Sequence, residues 1–157
     1  MIAALLIAPV LALVAYFSVD AMVSDKPAQA QPGHSYALVA MPQCRYTSGK
    51  CTFKNAEFKV VLTPQQVSAD GISLTLHSVF PLQAAKMALV EQASDAGSPL
   101  PMEPVDTNGQ DWKIDLHGSH GKSSQLRLVV VAGDAFYFGE TGLDFVTYAT
   151  SFDAGTQ

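Results

Sequence analysis

Charge and catalytic motifs are what this sequence has least of. No charged side chain occurs from Met1 to Val19, and the whole chain carries 9 Lys and Arg against 14 Asp and Glu. No basic face is therefore dense enough to bind a phosphate backbone, and we expect no nucleic-acid partner. The motifs G-x-S-x-G and H-E-x-x-H and a glycine-rich phosphate loop are all missing. We therefore expect a protein that is not an enzyme.

Cysteine is also scarce, since Cys44 and Cys51 are the only two in 157 residues. Their spacing is neither C-x-x-C nor C-x-x-x-C, which argues against a redox pair or a thiolate copper site. The segment between them reads as a turn with the flexible Gly49 near its tip, so the two Cα atoms can approach across a hairpin. One structural disulfide, typical of an exported protein, is the prediction.

The uncharged stretch at the N-terminus is long enough for a membrane anchor. As a helix, nineteen residues reach roughly 29 Å, close to the thickness of a bilayer's hydrocarbon core. We predict a transmembrane anchor or uncleaved signal at 1–22, a linker at 23–34 and an extracytoplasmic domain at 35–153. This places a single-pass protein in the inner membrane with its C-terminal domain facing the periplasm. The alternative is a secreted or periplasmic protein, cleaved after Ala30 in the Ala-Gln-Ala sequence.

Beyond residue 34 the hydrophobic pattern has a period of two, which is typical of half-buried strands. The segment 85–93 has some helix propensity, but it is short and bounded by Pro81 and a turn-rich stretch, so a strand is favoured. Trp112 is expected in the core between sheets. The pattern predicts an all-β, immunoglobulin-like β-sandwich preceded by a single transmembrane helix. The predicted strands are 35–41, 57–62, 72–80, 85–93, 111–116, 125–132, 135–139 and 144–152.

Two histidines three positions apart form the most metal-like pattern in the chain. His117 and His120 lie in a predicted loop, and Met102 could add the soft thioether ligand that suits cuprous copper. His77, Met41 and Met87 are further donors. The alternative is that the histidines belong to an ordinary polar loop and that Met87 and Met102 fill the core.

Four of the nine basic residues fall within fifteen positions around the cysteine pair. Arg45, Lys50 and Lys54, together with Lys59, could contact lipid phosphates or an acidic partner. The alternative is the solvated outer face of an edge hairpin, where lysines also prevent edge-to-edge pairing.

The order of several segments resembles the FixH-like and YtkA-like group of membrane-tethered extracytoplasmic domains. The resemblance lies in Met87-Ala-Leu-Val-Glu, Met102-Glu-Pro, Gly109-Gln-Asp-Trp-Lys-Ile-Asp-Leu and Leu126-Arg-Leu-Val-Val. It implies one membrane helix followed by an immunoglobulin-like domain. It also implies a non-enzymatic accessory protein that acts in the assembly of haem-copper oxidases or in extracytoplasmic copper handling. We expect no cofactor, with copper as the possible exception. The alternatives are an extracytoplasmic copper carrier and a structural subunit of a membrane complex.

Overall fold

The computed structural model describes residues 31–148 together with Ala12, Val14 and Ala15. Most of the predicted anchor and most of the linker therefore lie outside the described residues, as do positions 149–153 of the predicted domain. Within the described part of the chain, no helix is both long and apolar enough to cross a membrane.

Residues 31–148 form eleven β-strands and two short 3-10 helices. The all-β prediction is confirmed at this level. The 3-10 helices are Pro42–Arg45 and Asp144–Val146. The strands are β1 (Ser35–Ala37), β2 (Val39–Ala40), β3 (Cys51–Asn55), β4 (Phe58–Ser68), β5 (Gly71–Ser78), β6 (Ala84–Val90), β7 (Leu100–Pro101), β8 (Glu103–Pro104), β9 (Asp111–His117), β10 (Gln125–Ala132) and β11 (Ala135–Gly142).

The strands build two sheets. The first sheet has the order β1-β11-β10-β6-β7, and the second has the order β2-β3-β4-β5-β9-β8. Neighbouring strands are antiparallel, apart from β1, which runs parallel to the last strand, β11. The chain changes sheet repeatedly between β5 and β10, so strands close in sequence come to lie in different layers.

A single hydrophobic core lies between the two sheets. Alternate residues along the long strands point inward, as the period of two predicts. On the neighbouring strands β5 and β9 of the second sheet, the inward residues are Ile72, Leu74 and Leu76, which pair with Leu116, Ile114 and Trp112 in that order. On β10 of the first sheet they are Leu126, Leu128 and Val130. The Phe58 ring of the second sheet stacks on the Tyr137 ring of the first, with centroids 4.0 Å apart. The core position expected for Trp112 is confirmed, because its side chain is buried and its indole N–H donates to the Gly109 carbonyl oxygen at 2.9 Å.

Two short segments change sheets at the lateral edges of the core. Between β1 and β2, the buried Leu38 points inward and its backbone N–H donates to the Phe138 carbonyl oxygen at 2.7 Å. Between β7 and β8, Met102 does the same on the opposite side, and its N–H donates to the Ala85 carbonyl oxygen at 2.9 Å. Each segment therefore gives one residue to the core and one short strand to each sheet.

Several predicted strand boundaries are wrong. The expected strand 35–41 is two strands in different sheets, because Leu38 turns into the core between them. The expected closing strand 144–152 begins as a 3-10 helix, in which Phe145 and Val146 are both buried. The strand expected at 57–62 continues to Ser68, because a register shift near Pro64 lets the pairing with β5 resume beyond the proline. The strand assignment for 85–93 is correct for Ala84–Val90.

The two ends of the sheets carry different segments. We call the end at which residue 31 lies the proximal end. It also holds the β3–β4 turn, the β10–β11 turn and the segments 79–83 and 105–110. The distal end holds the β4–β5 turn and the loops 91–99 and 118–124.

Candidate functional site

The predicted disulfide is present. Cys44 and Cys51 are bonded, their Cα atoms are 4.4 Å apart, and both side chains are fully buried. The segment between them is not the simple hairpin turn that we expected. Cys44 belongs to the 3-10 helix and Cys51 opens β3, so the bond fastens a helical turn to the second sheet. The Ser48 hydroxyl lies within 2.7 Å of the carbonyl oxygens of Gln43 and Lys50, which holds the rest of the loop closed.

The predicted basic cluster is divided into two pairs. Arg45 and Lys50 belong to the disulfide-bonded loop, whereas Lys54 and Lys59 sit directly opposite one another on β3 and β4. Lys54 and Lys59 are both exposed, and neither forms an ion pair with another described residue. Like charges directly opposite one another destabilise a strand pair. An anion beside this second pair would therefore relieve a repulsion that the fold itself creates.

The two predicted histidine ligands border different surface depressions. His117 ends β9 and borders a depression with Asp70, whereas His120 lines a different one with Glu91 and Gln92. Nδ1 of His120 is shielded from solvent and has no hydrogen-bond partner among the described residues.

Met102 lies at neither histidine. Its side chain is buried at the lateral edge, and the pairing of Glu103 with Lys113 places its backbone level with Ile114 on β9. At about 3.3 Å per strand residue, it lies on the order of 10 Å from the end of β9 at His117. The described residues also contain no group of three His, Cys, Asp or Glu side chains arranged to hold a metal. The copper site stays a prediction.

The outer face of the second sheet is polar and bonded across its strands. The Ser73 hydroxyl bonds to the Asp115 carboxylate, and His77 Nδ1 lies 2.7 Å from an Asp111 carboxylate oxygen. The partners of these bonds are exposed. This face is a solvated surface whose polar groups already have partners within the fold.

The outer face of the first sheet carries a cluster of apolar side chains beside the exposed Lys86, which the sequence pattern did not predict. Phe136 and Phe138 project from β11 with 45% and 47% of their surfaces exposed. On the neighbouring β10, Val129 and Val131 are half-buried on the same face. The signal was the run Ala-Phe-Tyr-Phe-Gly, in which apolar residues occupy both faces of one strand. We call these four residues the apolar face.

An arginine fixes the distal border of the apolar face. Arg127 Nε donates to the Glu140 carboxylate at 2.7 Å, and its two other nitrogens donate to the carbonyl oxygens of Ala93 and Asp95. The guanidinium group thus ties the loop 91–99 to the first sheet. This contact gives the face a fixed polar edge at the distal end.

Four aromatic rings close the proximal end of the core. Tyr36 stacks on Tyr137 with centroids 5.5 Å apart, and Phe58 lies between Tyr137 and Phe80. Burial raises the pKa of Tyr137 above its usual value, and the neighbouring Tyr36 adds to the increase. Phe80 is the outermost ring, with 46% of its surface exposed.

The described residues thus present a polar sheet face, an apolar sheet face, an aromatic proximal end, and two histidines in separate distal depressions. None of these is arranged as a nucleophile with an adjacent base, which acyl transfer requires. No protein-family model, curated protein or solved structure matches the chain.

Proposed function

We propose that this protein is a membrane-anchored, periplasm-facing accessory or assembly protein of a membrane complex, and that its apolar face makes the contact. The resemblance to the FixH-like and YtkA-like group points to a haem-copper oxidase as the kind of partner. The observation that carries the proposal is the exposure of Phe136 and Phe138 side by side on a rigid strand. Contiguous apolar surface with a polar border is typical of protein contact sites.

The proposal includes an immunoglobulin-like sandwich, which the strand order supports. The run β4-β5-β9-β8 corresponds to the A-B-E-D sheet of such domains, and β6, β10 and β11 correspond to strands C, F and G. The parallel β1 adds to the edge beside β11. The disulfide departs from the usual pattern, since Cys44–Cys51 closes a local loop and does not join the two sheets.

A tether makes such a small contact surface sufficient. Two bulky rings and two valines supply modest binding energy, which is too little for a stable complex between freely diffusing proteins. Anchoring both partners in one membrane converts the encounter into a local event, with an effective concentration in the millimolar range for a short linker. The proposed anchor at 1–22 and linker at 23–34 would provide this effect.

The test is chemical cross-linking of the tagged full-length protein in intact membranes of its own host, followed by detergent solubilisation and purification, because the membrane must hold both partners while the contact is captured. The variant Phe138→Glu places a charge in the centre of the apolar face. The matched control is Gln66→Glu, which adds the same charge to an exposed position on the second sheet. We expect integral membrane proteins to co-purify with the wild type and the control, and to be lost with Phe138→Glu.

Two results would contradict the proposal. Recovery of the wild type without cross-linked partners would exclude a contact with a membrane complex. Equal recovery of partners with Phe138→Glu and Gln66→Glu would exclude the apolar face as the contact. Circular dichroism of the purified variants checks that both are folded, which is expected because neither position is in the core.

A further inference from the structure

We propose that the proximal end of the domain rests on the bilayer surface, with Val79, Phe80 and Val105 in the lipid interface and Lys54 and Lys59 at the headgroup phosphates. The inference rests on the membrane tether of the proposed function and adds an orientation to it. The apolar face would then stand roughly upright beside the membrane. In that position it faces the extracytoplasmic part of a neighbouring membrane protein.

The first observation is the position at which the described chain begins. The backbone N–H of Gln31 donates to the Tyr36 hydroxyl at 2.9 Å, and that of Gly33 donates to the Asp134 carbonyl oxygen at 2.7 Å. These bonds fasten the start of the domain to the proximal end. Eleven residues separate Gln31 from the end of the uncharged run at Val19. Eleven residues span at most about 40 Å even when fully extended, which limits how far this end can lie from the bilayer.

The second observation is the apolar surface at this same end. Val79, Phe80 and Val105 expose 38%, 46% and 60% of their surfaces. Two of them are fixed to the second sheet, because the Val79 N–H donates to the Lys59 carbonyl oxygen and the Val105 N–H donates to the Asp111 carbonyl oxygen. Phe80 is supported from behind by the stacked Phe58 ring, with centroids 6.3 Å apart. Aromatic and aliphatic side chains held outward in this way suit the boundary between headgroups and acyl chains.

The third observation is charge. The exposed lysine pair formed by Lys54 and Lys59 adjoins Val79 through the 3.1 Å hydrogen bond from the Val79 N–H to the Lys59 carbonyl oxygen. Headgroup phosphates would neutralise this repulsive pair. Two of the carboxylates at this end already accept bonds from the protein. Asp106 accepts from the backbone of the segment 110–111, and Asp134 accepts from the Gln83 amide at 2.8 Å. Both carboxylates keep their negative charge in these bonds and, together with Glu57 in the β3–β4 turn, oppose the lysine pair, so the contact of the lysines with the phosphates is a local one.

The experiment measures tryptophan quenching in the full-length protein, reconstituted in phosphatidylcholine and phosphatidylglycerol vesicles with or without brominated acyl chains. Phe80→Trp places a reporter at the proximal end, and Ala69→Trp places one at the exposed distal turn. Trp112 is buried in the core, so the wild type supplies the background. We expect a blue-shifted emission that is lost in brominated vesicles for Phe80→Trp, and no such loss for Ala69→Trp.

The outcomes separate this inference from the proposed function. Flotation of the protein with vesicles, without quenching of the Phe80→Trp reporter, would overturn the orientation and leave the tether intact. Failure to float at all would overturn both. Equal quenching of the two reporters would also overturn the orientation, since the domain would then have no preferred end. For the lysines, we expect Lys54→Glu in the Phe80→Trp background to weaken quenching, and unchanged quenching would remove them from the contact.

Discussion

Gly139 is the residue at which the separation of the two sheets can be tested most directly. It lies on the inward side of β11, facing the fully buried Phe53 of the second sheet. A Cβ atom at this position would lie 2.8 Å from two carbon atoms of the Phe53 ring and 3.2 Å from Leu38 Cβ. No real Cβ contact is that short, so Gly139→Ala forces either the ring or the sheet to move.

The expected cost follows from two opposing effects. Overpacking a dense core costs about 1–3 kcal/mol. Replacing glycine by alanine stiffens the unfolded chain and recovers about 0.4–1 kcal/mol. We therefore expect Gly139→Ala to lower the free energy of unfolding by about 1–2 kcal/mol, because the ring sits between the sheets and has little room to yield.

Urea unfolding of the full-length protein in mild detergent measures this loss. The control is Gly121→Ala, where an added Cβ has no atom within 4 Å. That variant should match the wild type or gain slightly in stability. The double variant Gly139→Ala with Phe53→Leu should lose about 1 kcal/mol less free energy of unfolding than the two single losses added together, because the smaller side chain removes the clash. Equal midpoints for Gly139→Ala and Gly121→Ala would refute the close approach of the two sheets.

Three further predictions concern the disulfide, the histidines and Tyr137. Replacing both Cys44 and Cys51 with alanine should lower the free energy of unfolding by about 2.5 kcal/mol, the loop-closure value for eight residues, and a urea midpoint equal to that of the wild type would contradict this. The predicted cuprous site at His117 and His120 requires both side chains, so His117→Ala and His120→Ala should each abolish tight binding in a cuprous titration, and unchanged binding in either variant would contradict the site. The raised pKa of Tyr137 means that the folded state holds the phenol proton more tightly than the unfolded state. This contribution to stability is complete below pH 10.0, the usual pKa of tyrosine, and is lost as the pH rises through the folded pKa. Between about pH 9 and 11 the wild type should therefore lose stability more steeply than Tyr137→Phe. Urea midpoints of the two proteins across this pH range measure the difference.

The sequence predicted the long strands well because their inward residues repeat at every second position. Ile72, Leu74 and Leu76 on β5 show this repeat, and the predicted strand 125–132 coincides with β10. The sheet-switching segments were not predictable in this way. A strand of two or three residues has no measurable period, and the roles of Leu38 and Met102 depend on both sheets already being in place.

The candidate surfaces show the same division. The disulfide could be predicted because a short loop between two cysteines constrains its own geometry. The apolar face could not be predicted, because the strand carries aromatic residues on both faces and the sequence does not show which face is buried. In the structure Tyr137 points into the core, which places Phe136 and Phe138 on the outside. The basic cluster is compact in sequence, yet β3 carries Lys54 away from the loop that holds Arg45 and Lys50.

The lateral closures limit how this domain can associate with another protein. At one edge lie the short strands β1 and β2, and at the other lie β7 and β8, where Pro101 and Pro104 have no backbone N–H to offer. Short, proline-bearing edge strands are poor templates for an added strand. Association through strand addition is therefore disfavoured at these edges, and the faces and ends remain as contact surfaces. Of these, the second sheet's outer face is occupied by its own polar bonds, which leaves the apolar face and the two ends.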